Sequence, residues 1–240
     1  MEERHIIDCH THILPGIDDG SGNIDMTREM LKIEKRDGIT DIVFTPHFYA
    51  SRNSITRFLN KRNESFEKVL KILSDVGFNE KNLYLGSEVY YFENMSKAED
   101  LDSLCISGTN YILIEMPFAQ WTKKNIDEIE YIINDRKLNV ILAHLERFYK
   151  FQKDKEHFDR LLSMDLLIQL NAEAFLGGFF QKRWVDKLLV KHDNILLGSD
   201  CHNLSTRTPN LVKAREQIRK KHGQDVLDKI DENGKRICHE

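Results

Sequence analysis

Seven short apolar runs recur along the chain, and a longer amphipathic or polar stretch follows each. The runs are Ile6-Ile7, Ile42-Val43-Phe44, Leu83-Tyr84-Leu85, Tyr111-Ile112-Leu113-Ile114, Val140-Ile141-Leu142-Ala143, Leu166-Leu167-Ile168-Gln169-Leu170 and Ile195-Leu196-Leu197. Continuous apolar runs of this length describe strands covered on both faces, as in a parallel sheet. Helical spacing marks the segments between them. Met26, Met30 and Ile33 share a stripe in 25–36, and Phe58, Leu59, Phe66, Val69, Leu70 and Leu73 do so in 54–73. Ile126, Ile129, Ile132 and Ile133 repeat the pattern in 125–134, as do segments 158–164, 182–190 and 211–219. Asp37-Gly38 and Val76-Gly77 read as helix ends. This alternation predicts a barrel-like α/β domain, with a doubly wound open sheet as the alternative. A barrel of roughly 200–250 residues is an ordinary single domain. With no internal repeat, low-complexity tract or linker, residues 1–240 are expected to form one domain.

Charge and composition exclude several classes. The net charge is −4 and no basic stripe stands out, which argues against nucleic acid and anionic membrane surfaces as partners. No apolar run approaches the ~20 residues of a membrane span. Met1-Glu2-Glu3-Arg4-His5 has no signal-peptide core, so no membrane insertion is expected. Cys9, Cys105, Cys201 and Cys238 show no paired framework, which fits a reduced, cytoplasmic setting. Cys238-His239, near the end of the sequence, is expected to fray.

In α/β barrels the chemistry gathers at the C-terminal ends of the strands. The first run leads into Asp8-Cys9-His10-Thr11-His12, where a persisting strand would point Asp8, His10 and His12 the same way. Two imidazoles so placed can grip one metal ion. Pro15-Gly16 then turns the chain, and Asp18-Asp19-Gly20 can bring carboxylates back over the same spot. Later runs end at Thr45-Pro46-His47, Gly86-Ser87-Glu88, Glu115, His144 with Glu146 and Arg147, Asn171 with Glu173, and Gly198-Ser199-Asp200-Cys201-His202, with Arg207 close behind. Nearly every strand thus delivers a metal-competent group to one end.

The order H-x-H, T-P-H, G-S-E, an isolated Glu, A-H-x-E-R and G-S-D-x-H resembles the polymerase-and-histidinol-phosphatase (PHP) superfamily. The string from His12 to Ser21, with Leu14-Pro15-Gly16-Ile17-Asp18-Asp19-Gly20 inside it, resembles the bacterial tyrosine-protein phosphatases found with capsular and exopolysaccharide operons. The matches run in order from residue 8 to residue 207. The resemblance implies a distorted seven-stranded (β/α) barrel of PHP type with three divalent metal ions, manganese first, iron or zinc as alternatives. By motif, His10, His12, Glu88 and Asp200 would hold one ion; Glu88, Glu115 and His144 a second, with Glu88 bridging; Asp18, His47 and His202 a third. Arg147 and Arg207 would bind the substrate phosphate. The implied partner is a phosphotyrosine protein, a bacterial tyrosine kinase that controls capsule or exopolysaccharide synthesis.

Five histidines, two glutamates and two aspartates suit Mn, Fe or Zn, not a thiolate-bound structural zinc. Nine ligands over three ions leave positions open, as catalysis requires. Phe48, Tyr49, Phe118, Trp121, Phe148, Tyr149, Phe175, Phe179 and Phe180 follow strand ends, and some could rim a phenyl ring. A histidinol-phosphate or other small-molecule phosphatase would use the same metals, and a non-catalytic metal-binding regulatory protein would use them without turnover. Cys201 and Arg207 also have the C-x5-R spacing of cysteine phosphatases, but their loop lacks the glycine that brings backbone N–H groups onto phosphate. Asp200 beside the thiol disfavours a thiolate. Cys201→Ser should therefore retain most phosphatase activity while His202→Ala loses most of it; a dead serine variant beside an active, metal-loaded alanine variant would establish the thiol mechanism.

Overall fold

Each of the seven apolar runs becomes a strand, and every strand pairing is parallel. The computed structural model describes residues 5–239. Among these the strands are β1 (Ile7–Thr11), β2 (Asp41–Phe44), β3 (His47–Phe48), β4 (Leu83–Leu85), β5 (Glu88–Tyr90), β6 (Tyr111–Glu115), β7 (Asn139–Leu142), β8 (Leu167–Asn171) and β9 (Ile195–Gly198). The helices are α1 (Ile24–Arg36), α2 (Ile55–Leu70), α3 (Leu73–Val76), α4 (Lys123–Asn134), α5 (Glu156–Leu162), α6 (Ala172–Leu176), α7 (Phe179–Lys191), α8 (Leu211–His222) and α9 (Gln224–His239). The result is a mixed α/β fold with two parallel sheets, ordered β1-β2-β4 and β3-β5-β6-β7-β8-β9.

β3 and β5 are additions to the seven expected strands. Each continues a strand after a break of two residues, Thr45-Pro46 and Gly86-Ser87. Pro46 has no N–H to give a ladder, so pairing lapses there. At the second break a buried arginine from α2 intervenes: Arg62 Nη1 donates to Gly86 O at 2.9 Å and to Ser87 Oγ at 3.1 Å. Segments of two or three residues carry no periodicity, which is why the sequence conceals them. Their register brings chemistry together, since His47 pairs with Glu88 and Tyr90 with Glu115. The chain beyond β9 bonds to β1: Asp200 N donates to His10 O at 2.8 Å and His12 N to Cys201 O at 3.0 Å.

The expected alternation in β1 does not persist. Its register with β2 shifts between Asp8 and Thr11. Asp8 lies beside Glu34 of α1 and accepts from Ser199 N at 2.8 Å, whereas His10 and His12 converge on Glu88. Helix termini follow their sequence signals. Asn23 caps α1 by accepting from Met26 N at 2.9 Å, and Thr122 with Asn125 forms a capping box on α4. Gly38 and Gly77 take positive φ at the ends of α1 and α3, as expected.

The largest correction is the C-terminal segment. Residues 224–239 form a helix of 16 residues, and Cys238 and His239, expected to fray, are its last turn. Its apolar period is hidden because Asp231, Asn233 and Gly234 occupy the buried face. Asp231 takes a forked pair of bonds from Arg215 at 2.5 and 2.8 Å. Asn233 Nδ2 donates to Asp193 O at 2.8 Å and Ile195 O at 3.0 Å. A Cβ at Gly234 would lie 3.2 Å from Ile7 Cδ1, so glycine lets α9 approach β1 closely. Gly234→Leu should lower stability by about 1–2 kcal/mol, overpacking outweighing the gain in helix propensity. Chemical denaturation of both proteins measures this, and an unchanged midpoint would show that β1 yields freely.

Candidate metal centre

Glu88 opens β5 at the point where the strand has just resumed, and its carboxylate is fully buried. Three imidazole nitrogens crowd one of its oxygens. Oε2 lies 2.9 Å from His47 Nδ1, 3.1 Å from His12 Nε2 and 3.2 Å from His10 Nε2. Oε1 meets His144 Nε2 at 2.8 Å, and His144 Nε2 stands 3.3 Å from Glu115 Oε1. Despite these approaches, Glu88 Oε2 and His47 Nδ1 have no partner in hydrogen-bonding geometry among the described residues, and neither does His202 Nε2. Buried polar atoms are normally satisfied. Lone pairs that converge without bonding one another are what a shared cation requires, so these residues fit divalent metal ions.

Three overlapping groups could each hold an ion: His10, His12 and Glu88; His47, Glu88 and Glu115; His12, Asp19, His47 and His202. Most of the sequence-predicted ligands therefore meet, with three differences: Glu88 and Glu115 are joined by His47 where His144 was expected, and Asp18 and Asp200 belong to none of the groups. Asp18 faces away from the third group: its Oδ2 accepts from His12 Nδ1 at 2.8 Å and His47 N at 3.0 Å, and its Oδ1 from Gly20 N at 2.9 Å. It holds the His12 ring from behind, the usual partner of a metal-binding imidazole. Asp19 reaches in instead, 3.5 Å from His47 Nε2 and 3.6 Å from His202 Nε2. Asp200 Oδ1 lies 3.4 Å from His12 Nε2 and 3.8 Å from His10 Nε2, while both arginines grip the carboxylate. Arg207 Nη2 is 2.6 Å from Oδ1 and Arg147 Nη2 is 3.0 Å from Oδ2.

Residues outside the predicted set orient this cluster. Gln169 Oε1 meets His10 Nδ1 at 2.9 Å and accepts from His144 N at 2.6 Å, and its Nε2 donates to Asn171 Oδ1. Asn171 Nδ2 donates to Asp200 Oδ2 at 2.7 Å. A polar Gln within the apolar run 166–170 was the available signal. Side chains are excluded at Gly20, where a Cβ would meet His12 O at 2.1 Å, and at Gly198, where it would meet His10 Cβ at 2.5 Å. His144 and Asp200 hold left-handed backbone, φ 29° and 51°. Non-glycine residues there carry strain that surrounding contacts must outweigh, a habit of functional sites.

The charges show how strongly the cluster wants cations. Burial pushes the Glu88 carboxyl up, but His10 and His47 more than reverse this and hold it well below the usual range. Burial likewise opposes charge on Asp200, and the rings of His10 and His12 bring it far down. Burial disfavours a charged His144, yet Glu115 and Glu88 lift it to about 10. His202 goes the other way, to about 3, through burial and the neighbouring His12 charge. Protons on His12, His47 and His144 thus balance the buried carboxylates, and a divalent ion bound there would displace them, since a ligating imidazole is neutral.

The cysteine alternative fails on geometry. Cys201 is fully buried, and burial with the charges of Glu34 and Asp8 pushes its thiol well above the ordinary range. The aromatics divide. Phe48, Trp121, Phe148 and Phe175 are core. Tyr49 packs beside His47 with centroids 5.2 Å apart and beside Tyr90 at 5.6 Å. Phe118, 42% exposed, stacks over His144 at 6.1 Å. Phe179 and Phe180, at the start of α7, are largely exposed.

A family model described as capsular polysaccharide synthesis, CpsB/CapC, matches residues 6–239. A CapC protein of Staphylococcus aureus is 30% identical over 242 residues, covering 97% of this chain and 91% of that one. The tyrosine-protein phosphatase YwqE of Bacillus subtilis is 26% identical, over 95% of this chain and 89% of its own length. The tyrosine-protein phosphatase CpsB of Streptococcus pneumoniae is 25% identical, over 91% of each. In three dimensions the fold matches a chain from the crystal structures of YwqE and CpsB, described as metal-dependent tyrosine phosphatases, with a TM-score of 0.82, 24% identity and coverage of 97% and 94%. The phosphotriesterase homology protein of Escherichia coli shares the fold more distantly, at a TM-score of 0.59 and 10% identity over 98% of each chain.

If Glu88 is the common anchor, Mn²⁺ at a hundredfold its dissociation constant should stabilise the protein by about 2.7 kcal/mol. For a chain of this size that raises Tm by roughly 5–10 °C. Glu88→Ala should lose most of this shift in a thermal melt with and without Mn²⁺; an equal shift in the variant would place the metal elsewhere.

Proposed function

This chain belongs to the CpsB/CapC family of capsular polysaccharide synthesis, and we propose that it works there as a metal-dependent protein-tyrosine phosphatase. It is a phosphoric monoester hydrolase. The observation that carries this reading is the convergence of His10, His12, His47 and His144 on the Glu88 carboxylate, beside two arginines held by Asp200.

The finer reading is a distorted seven-stranded (β/α) barrel of PHP type, one domain over residues 1–240. Three features support it: β3 and β5 read as continuations of β2 and β4, all pairings are parallel, and the residues after β9 bond to β1. The cofactors are three divalent ions, manganese favoured, since the three ligand groups mix imidazole and carboxylate without thiolate. His10, His12, Glu88 and Asp200 serve one ion; Glu88, Glu115, His144 and His47 a second; His47, His202 and Asp19 the third, with Asp18 orienting His12. Divalent cations held there supply an acidified water near neutral pH and offset phosphoryl charge.

The chain's own residues do the rest. Arg147 and Arg207 are about one-third exposed, so donors not engaged by Asp200 can reach a phosphate arriving from solvent. Their planar forks match phosphoryl oxygens. Tyr49, Tyr90 and Phe118 flank the ligands and suit a phenyl ring. A phenol leaving group, with pKa ~10, demands less of a general acid than an alkyl alcohol. The substrate is a phosphotyrosine protein, and the partner is a bacterial tyrosine kinase controlling capsule or exopolysaccharide synthesis. A cytoplasmic setting fits the four free cysteines. Among the described residues no helix is long and apolar enough to cross a membrane.

Two measurements test this. With Mn²⁺ supplied, kcat/KM on a phosphotyrosine peptide should exceed that on histidinol phosphate and on a phosphoserine peptide; a tenfold preference for histidinol phosphate would make this a small-molecule phosphatase. Arg147→Ala and Arg207→Ala should keep their metals yet lose ten- to a hundredfold in kcat/KM, each donor set being worth roughly 1.5–3 kcal/mol. Lysine should rescue little, because a point charge cannot reproduce the fork. Unchanged kinetics in both alanine variants would reduce the arginines to partners of Asp200.

A further inference from the structure

A second cluster of metal-competent side chains lies at the other end of the strands. Asp41 opens β2, whose far end leads to His47, so up to about 20 Å of extended chain separates it from the centre around Glu88. His5 precedes β1, and His239 closes α9. His5 Nδ1 lies 2.8 Å from Asp41 Oδ2 and His239 Nε2 lies 3.3 Å from Asp41 Oδ1. The two imidazole rings are 4.5 Å apart between centroids. One ligand atom from each residue falls within 4.8 Å of the others.

We propose that His5, Asp41 and His239 form a separate binding site for Zn²⁺ or a similar borderline divalent ion. The separations are close to what a tetrahedral ion needs. Zinc bonds of about 2.0–2.1 Å place neighbouring ligands ~3.3 Å apart. The two rings face different oxygens of Asp41, Oδ1 at 3.3 Å and Oδ2 at 2.8 Å, so a small turn of the carboxylate and a slight withdrawal of His5 would let one ion take one oxygen and both imidazoles. The ligands are also braced as metal ligands usually are. Thr40 Oγ1 donates to Asp41 Oδ2 at 2.6 Å, and Asn82 Nδ2 donates to Oδ1 at 2.8 Å. The Tyr84 hydroxyl sits 3.3 Å from His239 Nδ1 and 3.5 Å from Nε2, while Nε2 also faces the carboxylate. The Asp41 carboxylate is fully buried, while His5 and His239 are 24% and 33% exposed, so an ion can enter from solvent. Two imidazoles and one carboxylate favour zinc, nickel or copper over magnesium or calcium. Three protein ligands leave a fourth position for water. The ion would tie the segment before β1 to the last turn of α9, fixing both against β2. This site shares no residue with the phosphatase centre and stands or falls independently of it.

The test is zinc content, measured by elemental analysis on full-length protein equilibrated with buffered micromolar Zn²⁺. Wild type should hold one more equivalent per chain than His239→Gln, and likewise than His5→Gln, because both variants keep the centre around Glu88. Mn²⁺-supported phosphatase activity of the variants should equal wild type, which confirms that the loss is not misfolding. Zn²⁺ should also raise the Tm of wild type further than that of either variant. Equal zinc content in all three proteins would overturn the proposal and leave the cluster as an ion-paired clamp.

Discussion

A buried carboxylate with four imidazoles around it is the constraint on which this structure turns. Glu88 is fully buried, and so are His10, His12 and His144. Such a cluster is expensive without cations, since buried charge is tolerated only when paired and hydrogen-bonded. The scaffold meets that cost through the bonds around it. Asp18 steadies His12, Gln169 steadies His10 and the backbone at His144, and Asn171 with two arginines steadies Asp200. Removing an outer partner should therefore loosen the ligands it holds while leaving the strands intact.

The parallel sheets explain how residues so far apart in sequence meet. Parallel strands all emerge at one end, so the residue after each strand arrives in a common space. Two departures from regularity refine this. The breaks at Thr45-Pro46 and Gly86-Ser87 restart the strands at His47 and Glu88, which the register then sets side by side. The register shift in β1 separates Asp8 from His10, sending the first beside Glu34 of α1 and the second to Glu88. A perfectly regular ladder would have kept both on one face.

The same packing sorts the aromatic residues that follow strand ends. Phe48, Trp121 and Phe148 fill the layer between strands and helices, while Phe118 and Tyr49 remain beside the ligands. Core and rim use the same residue types, so chemistry alone does not tell them apart. Burial decides, and burial depends on which helix covers each loop.

Much of the site was legible in the sequence because strands and metal ligands both leave local marks. Buried parallel strands read as continuous apolar runs, and candidate ligands stood as His, Asp or Glu at their ends. His10, His12, His47, Glu88, Glu115, His144 and His202 could therefore be named as candidates from position, and helix forms in all six segments named from period, although 54–73 breaks after Leu70 and resumes at Leu73. The rest depended on contacts distant in sequence. Adjacent Asp18 and Asp19 are chemically alike, and only the tertiary structure decides that the first bonds His12 Nδ1 while the second faces His47 and His202. β3 and β5 are too short for any period to register. α9 hid its period because Asp231, Asn233 and Gly234 face inward, each accepted there by a partner outside the helix: Arg215, the carbonyls of Asp193 and Ile195, and the side chain of Ile7. Sequence fixes what a residue can bond; which bond it makes is settled by what the fold sets opposite it.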